Sequence, residues 1–304
     1  MDSLDLGKVY LELKYWDEAI CEFTKAIRAD PKLAEAYVHR GCAFSEIQNY
    51  SNATLDFSTA IELDPTDSFT VHSRAALYER IGEPEKAAAD YTRLIQLNPQ
   101  GASGYLLRSR TWQRESYRKA IDDLNQAIRL NPEDAEAFYT RGWIYKELGD
   151  FAAAIDDLTV AIRLRPDCAG SYAHRGMAYG KQGAYELAIG DLTETIRLDA
   201  QDARAYCNRG IANENLGLDD SALADYGRAI ELNPRDDFAL YRRGRLYKIK
   251  CDYSQALVDL TAAIECNPQR AMAYYLRGEV YYALRKIYRA TRDFIRAKQL
   301  MGDS

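Results

Sequence analysis

Residues able to do chemistry are sparse in this chain. Histidines number three, at 39, 72 and 174, and the six cysteines, at 21, 42, 168, 207, 251 and 266, form no Cys-x-x-Cys pair. His39, Cys42 and His72 are the one grouping with metal-ligand character, because imidazole and thiolate are donors that zinc accepts. A zinc site also needs a fourth ligand or an open catalytic position, and no nearby carboxylate has that context. No metal or other cofactor is therefore expected. No nucleophile elbow, glycine-rich phosphate loop or His-Glu-x-x-His pattern occurs, so catalysis by this chain is not expected either.

The most regular charges are an arginine series and an aspartate series. Arg40, Arg74, Arg108, Arg141, Arg175, Arg209, Arg243 and Arg277 keep a constant spacing, as do Asp56, Asp90, Asp123, Asp157, Asp191, Asp225, Asp259 and Asp293. One chemistry open to them is recognition of phosphate or acidic ligands. The other is a ladder inside the protein, favoured by the planar fork that guanidinium offers to carboxylate. Both series fail together at the start of the chain, where Leu6 and Glu22 stand instead. A specific ligand does not recur at every copy of a motif, so the internal ladder is the expectation.

That spacing belongs to the whole chain. Apart from Pro84, the prolines at 31, 65, 99, 132, 166, 234 and 268 are 34, 34, 33, 34, 68 and 34 residues apart, and Ala200 fills the double gap. Ala19, Ala53, Ala87, Ala120, Ala154, Ala188, Ala222, Ala256 and Ala290 carry the period through nine copies. A fixed period of this length marks a stacked array. Its copies run approximately 1–33, 34–67, 68–101, 102–134, 135–168, 169–202, 203–236, 237–270 and 271–304, as a single array over 1–304 with no linker.

Each copy reads as two helices. Apolar residues recur three and four apart in AEAFYTRGWIYKELGD and again in FAAAIDDLTVAIRLRP, with a turn between. Proline then ends the second helix because it cannot continue the hydrogen-bond ladder. The alanine column lets the two helices approach. Gly7, Gly41, Gly142, Gly176, Gly210, Gly244 and Gly278 form a second small column, with Ala75 and Ser109 in the remaining copies. Seven helical glycines cost on the order of 6 kcal/mol, which implies that close backbone approach is needed there. Tyr10, Phe44, Tyr78, Trp112, Tyr145, Tyr179, Tyr247 and Tyr281 are expected as the complementary knobs.

Leu6, Gly7, Tyr10, Ala19, Phe23 and Pro31 meet the L-G-x2-Y…A-x3-F…P pattern, and the chain resembles the tetratricopeptide repeat (TPR) family over essentially its whole length. The resemblance implies an all-α, right-handed superhelical solenoid of stacked antiparallel helix pairs. It also implies a concave groove, lined by first helices, that binds peptides or partner helices. The family's carboxylate clamp has only Asn208 and Arg242 in place here, because Ala173, Met177 and Phe238 hold its other slots, so that mode is not expected.

Positions shared by all copies build the array, so selectivity belongs to positions that differ between them. One first-helix stripe, spaced three and four apart, lies clear of the packing columns. It and its neighbours supply the candidate groove residues Phe69, His72, Leu106, Arg110, Tyr139, Trp143, Lys146, Met177, Asn208, Ile211, Phe238, Tyr241, Arg242, Arg245 and Lys248. Aromatic anchors with isolated cations suit an amphipathic or aromatic protein or peptide segment bearing some acidic residues. A net charge of -6 argues against a nucleic-acid partner, and no apolar run is long enough to span a membrane.

The expected function is a non-catalytic interaction scaffold; the alternative is a regulatory or targeting subunit of a larger enzyme or chaperone-linked complex. MDSLDLGKVYLELKYW has no signal-peptide pattern, and unpaired cysteines fit reduced thiols, so the expected location is cytoplasmic. Two irregularities stand out. The fourth copy is one residue short around Trp112–Tyr117, and Lys298 replaces the isoleucine of the stacking slot in the last helix, as a solvated terminal repeat requires.

Overall fold

Every copy of the motif becomes a helical hairpin. In the computed structural model, which describes residues 2–302 with the Glu115 side chain excepted, the helices follow one another in pairs. They are α1 (Ser3–Glu12) and α2 (Trp16–Ala29), α3 (Ala34–Glu46) and α4 (Tyr50–Leu63), α5 (Ser68–Arg80) and α6 (Pro84–Leu97), α7 (Ala102–Thr111) and α8 (Tyr117–Leu130), and α9 (Ala135–Leu148) and α10 (Phe151–Leu164). Next come α11 (Ala169–Gln182) and α12 (Tyr185–Leu198), α13 (Ala203–Asn215) and α14 (Asp219–Leu232), α15 (Asp237–Ile249) and α16 (Tyr253–Cys266), and α17 (Ala271–Ala283) and α18 (Ile287–Gly302). No strand occurs among the described residues. The helices gather into two compact units, Met1–Ile144 and Tyr145–Ser304, whose boundary falls within α9.

Local chemistry sets the helix ends. Asp2 caps α1 by accepting the Asp5 amide at 2.8 Å, and Asp67, Asp202 and Asp236 cap their helices in the same way. The hairpin turn requires one residue in the left-handed region. Gly82, Gly149, Gly183 and Gly217 provide it at low cost, whereas Lys14, Gln48, Cys251 and Arg285 adopt it with a side chain in place. The shortened fourth repeat has no such residue. Its α7 ends at Thr111, and a single 3-10 turn, Arg114–Ser116, connects it to α8.

Packing follows the small columns, with one departure from the sequence reading. The alanine column is buried throughout, from Ala19 to Ala290. The knobs set against the glycines, however, come from the second helix of the same repeat, sixteen residues on. A Cβ on Gly7 would lie 2.5 Å from the Phe23 ring, one on Gly41 2.9 Å from Phe57, and one on Gly278 2.7 Å from Phe294. The first-helix aromatic column instead lies against the arginines, with the Arg40 guanidinium 5.8 Å from the Phe44 centroid and that of Arg74 5.8 Å from Tyr78. A flat ring at that position faces the arginine guanidinium and not the glycine.

On α18, Lys298 is exposed as a terminal repeat requires, and Ile287, Tyr288 and Ile295 of the same helix are exposed as well.

Candidate functional site

The charge series closes within the protein. Arg40 donates from Nε and Nη2 to the two carboxylate oxygens of Asp56, both at 2.8 Å. The same fork joins Arg74 to Asp90, Arg175 to Asp191, Arg243 to Asp259 and Arg277 to Asp293. The aspartates are buried, and hydrogen bonding to them pushes the arginine pKa values up, so the guanidiniums stay charged.

A third contact escaped the sequence reading. Arg40 Nη1 reaches back 3.0 Å to the Thr24 hydroxyl, Arg74 to Ser58, Arg108 to Thr92, Arg175 to Thr159, Arg209 to Thr193 and Arg277 to Thr261. Each hydroxyl lies sixteen residues earlier, in the second helix of the preceding repeat, so one arginine ties two repeats together. The signal in the sequence is a hydroxyl column, and it lapses at Gly227, where Arg243 finds no such partner.

In the first unit, the candidate residues divide by exposure. Phe69 is 56 % exposed. His72 is exposed and lines a cleft with Cys42, Glu46 and Arg80. Burial pushes the Cys42 thiol up to about 11, which leaves it protonated and poorly suited to bind metal near neutral pH. His39 stacks on Phe23 at 5.6 Å, and burial lowers its pKa. No group of three or more metal-ligating side chains is present among the described residues. Leu106 and Trp143 join a cluster with Trp112 and Tyr117, where Trp143 meets Tyr117 edge-on at 5.7 Å. Tyr139 is half-buried, and Arg110 pairs with Glu136 at 3.1 Å.

In the second unit, Met177, Asn208 and Ile211 line one cavity. Phe238 and Tyr241 lie 6.5 Å apart, with the Arg270 guanidinium 5.5 and 5.4 Å from their centroids. The cations expected to stand isolated are paired. Lys146 is almost buried and holds Glu147 at 2.7 Å, and Lys248 holds Glu279 at 2.7 Å. Arg242 and Arg245 converge on Glu214, which also accepts the Tyr226 hydroxyl at 2.7 Å. A long side chain at a half-buried position cannot leave its charge uncompensated, and acidic residues on neighbouring first helices are within reach. Glu214 and Tyr226 were not singled out by the sequence, although the pair recurs as Glu79 and Tyr91, where the tyrosine again donates to the glutamate at 3.0 Å.

Comparison with known proteins identifies the repeat. Tetratricopeptide repeat profiles match residues 34–67, 71–100, 107–167 and 203–236, together more than half of the chain. The chain belongs to the tetratricopeptide repeat family. Among solved structures, this TPR protein is similar to YrrB, described as a TPR protein with an unusual peptide-binding site, at 24% identity and a TM-score of 0.54 over 62% of this chain and 97% of that one. It is similar to a tetratricopeptide repeat protein from Parabacteroides merdae at 17% identity and a TM-score of 0.59, covering 81% of this chain and 98% of that one. Its match to the Cut9–Hcn1 hetero-tetramer of the APC/C has 16% identity and a TM-score of 0.59, covering 91% of this chain but only 55% of that one. These identities speak to the fold alone. No curated protein sequence matches the TPR chain. Among its described residues, no helix is long and apolar enough to cross a membrane.

Proposed function

We propose that this TPR protein is a non-catalytic interaction module that takes an extended or helical segment of a partner protein along its first helices. The observation that carries the reading is the apolar exposure there: Phe69, Phe238, Met272 and Tyr275 are all 37 % exposed or more on helices whose other faces are packed. A fold family built for protein contacts supports it, as does the peptide-binding site ascribed to YrrB.

The proposed contact residues are Phe69, His72, Leu106, Arg110, Tyr139 and Trp143 in the first unit. In the second they are Lys146, Met177, Asn208, Ile211, Phe238, Tyr241, Arg242, Arg245 and Lys248. Apolar and aromatic side chains supply the affinity. Because the cations already hold carboxylates, acidic groups on the partner exchange with those carboxylates and fix register more than strength. We place this role in the cytoplasm on the strength of the six unpaired cysteines.

The test is affinity capture from a native lysate with the wild type beside Trp143→Ala/Tyr241→Ala. Truncating hot-spot aromatics costs at least about 2 kcal/mol of binding. Partners should therefore be lost from a variant that keeps its helicity, although both rings also pack against buried clusters and their truncation lowers the melting temperature. Equal retention by a folded variant would remove these anchors from the site.

A further inference from the structure

The cavity lined by Met177, Asn208 and Ile211 opens between α11 and α13 and measures about 160 Å³. Leu192 and Tyr185 complete its apolar wall, and Asn208 and Lys181 stand among its lining residues. Gly180 is one of its lining residues. The equivalent position, four residues after the small column, holds Leu11, Ser45, Glu79, Gln113, Lys146, Glu214, Lys248 and Tyr282 in the other repeats, so this is the one repeat without a side chain there.

Packing does not explain this glycine. A Cβ on Gly176, one turn earlier, would meet Asp191 and Leu192 at 3.1 Å, whereas one on Gly180 meets only the Ala188 Cβ, at 3.9 Å. A glycine inside a helix weakens it, and here no close approach requires one. Lys181 lines the same cavity, and its exposed ammonium pairs with none of the described residues. The Asn208 amide likewise makes no hydrogen bond to another described side chain.

We propose that this cavity is a socket for one bulky apolar side chain of the partner segment, and that Lys181 receives a carboxylate carried beside it. The inference rests on the reading that partners lie along the first helices. The volume is comparable with apolar cavities of about 150 Å³ that take a benzene ring. A leucine, methionine or phenylalanine side chain fits such a space. Met177 and Ile211 supply its walls, Asn208 an amide for the ligand backbone, and Lys181 the charge that selects an acidic neighbour.

The probe is 3-phenylpropionate, with 3-phenylpropan-1-ol as its uncharged counterpart, titrated into the full chain labelled at the methionine methyls. The chain contains four methionines, so Met177 reports the cavity while Met272 and Met301 serve as controls. The Met177 signal should shift saturably with the acid, at least threefold more tightly than with the alcohol. Gly180→Leu, which fills the cavity with a better helix former, should weaken the acid at least tenfold. Lys181→Ala, a surface change, should erase the preference for the acid. A Met177 signal that does not move, or that moves equally in Gly180→Leu, overturns the socket. Lysate partners captured equally by wild type and Gly180→Leu also overturn it, while leaving the broader interaction reading standing. A socket that binds the acid in a protein that captures no partner would overturn the broader reading alone.

Discussion

Repeat three, in the first unit, and repeat seven, in the second, carry the same polar pair and use it in opposite ways. Glu79 and Tyr91 stand twelve residues apart, as do Glu214 and Tyr226, and each tyrosine ring packs against its own first helix with its hydroxyl on the glutamate. An arginine follows in the next repeat of each, Arg110 or Arg245. In the first unit Glu79 stays exposed, and Arg110 turns to Glu136. In the second, Arg242 joins Arg245 on Glu214, whose side chain is left 6 % exposed. The residue in the Arg242 position of the first unit is Leu107, packed in a cluster with Tyr91. Two differences thus separate the open carboxylate from the closed ion cluster: Leu107 stands where the second unit has Arg242, and Glu136, which takes Arg110, stands where it has Met272.

The largest expected effect tests that contrast directly. Removing the shared acceptor by Glu214→Ala leaves two guanidiniums without it and should cost about 3 kcal/mol. Glu79→Ala should stay within about 1 kcal/mol, as exposed charges do. Thermal unfolding followed by helical circular dichroism compares the two. Equal losses would mean that the two sites are not energetically different.

The second unit also encloses a histidine. Burial, aided by the nearby positive charge of Lys146, pushes His174 down to about 4. In the unfolded chain it takes a proton at its ordinary 6.5, before the folded state does. Stability from this group is therefore full above 6.5, falls as pH drops from 6.5 towards about 4, and falls no further below that. The loss is on the order of 2 kcal/mol after allowance for partial exposure. His174→Gln should flatten the melting temperature between pH 7 and pH 4.5. A slope unchanged by the substitution would assign the pH dependence to other groups.

A smaller effect sharpens the comparison between repeat junctions. Arg209 and Arg277 each reach back to a threonine of the preceding repeat, and Arg243 meets only Gly227. Gly227→Thr should restore that hydrogen bond and stabilise the second unit by about 1 kcal/mol, helped by the better helix propensity of threonine. The added Cβ has room, since its nearest neighbour is Arg243 Nη1 itself at 3.7 Å. An unchanged or lowered melting temperature would show that the reaching arginine contributes nothing at a junction.

Legibility in the sequence tracked repetition. The alanine column, the arginine–aspartate ladder and the helix pairs repeat up to nine times, and a pattern seen that often announces its own geometry. The column of acceptors for the reaching arginines was nearly as periodic, but its mixture of Thr and Ser, with Asn125 and Gly227 in two repeats, disguised it. Candidate site residues were harder because each occurs once. Lys146 looked like a groove cation from its register, yet it lies against Glu147 and His174 with its charge taken up. Arg242 and Arg245 looked separate, and a glutamate from the preceding repeat joins them.

By itself, the sequence determined the repeat, the helix pair, the buried small columns and the aspartates that close the arginine ladder. These follow from spacing along the chain, because a hairpin of fixed length brings residues sixteen apart into contact whatever surrounds it. Tertiary structure alone decided which rings cover the glycines, which cations are compensated, and where a missing side chain leaves a cavity. Those outcomes depend on residues about thirty positions away meeting across two helices, where a single change such as Leu107 for Arg242, or Gly180 for a longer side chain, alters the balance between burial and hydration.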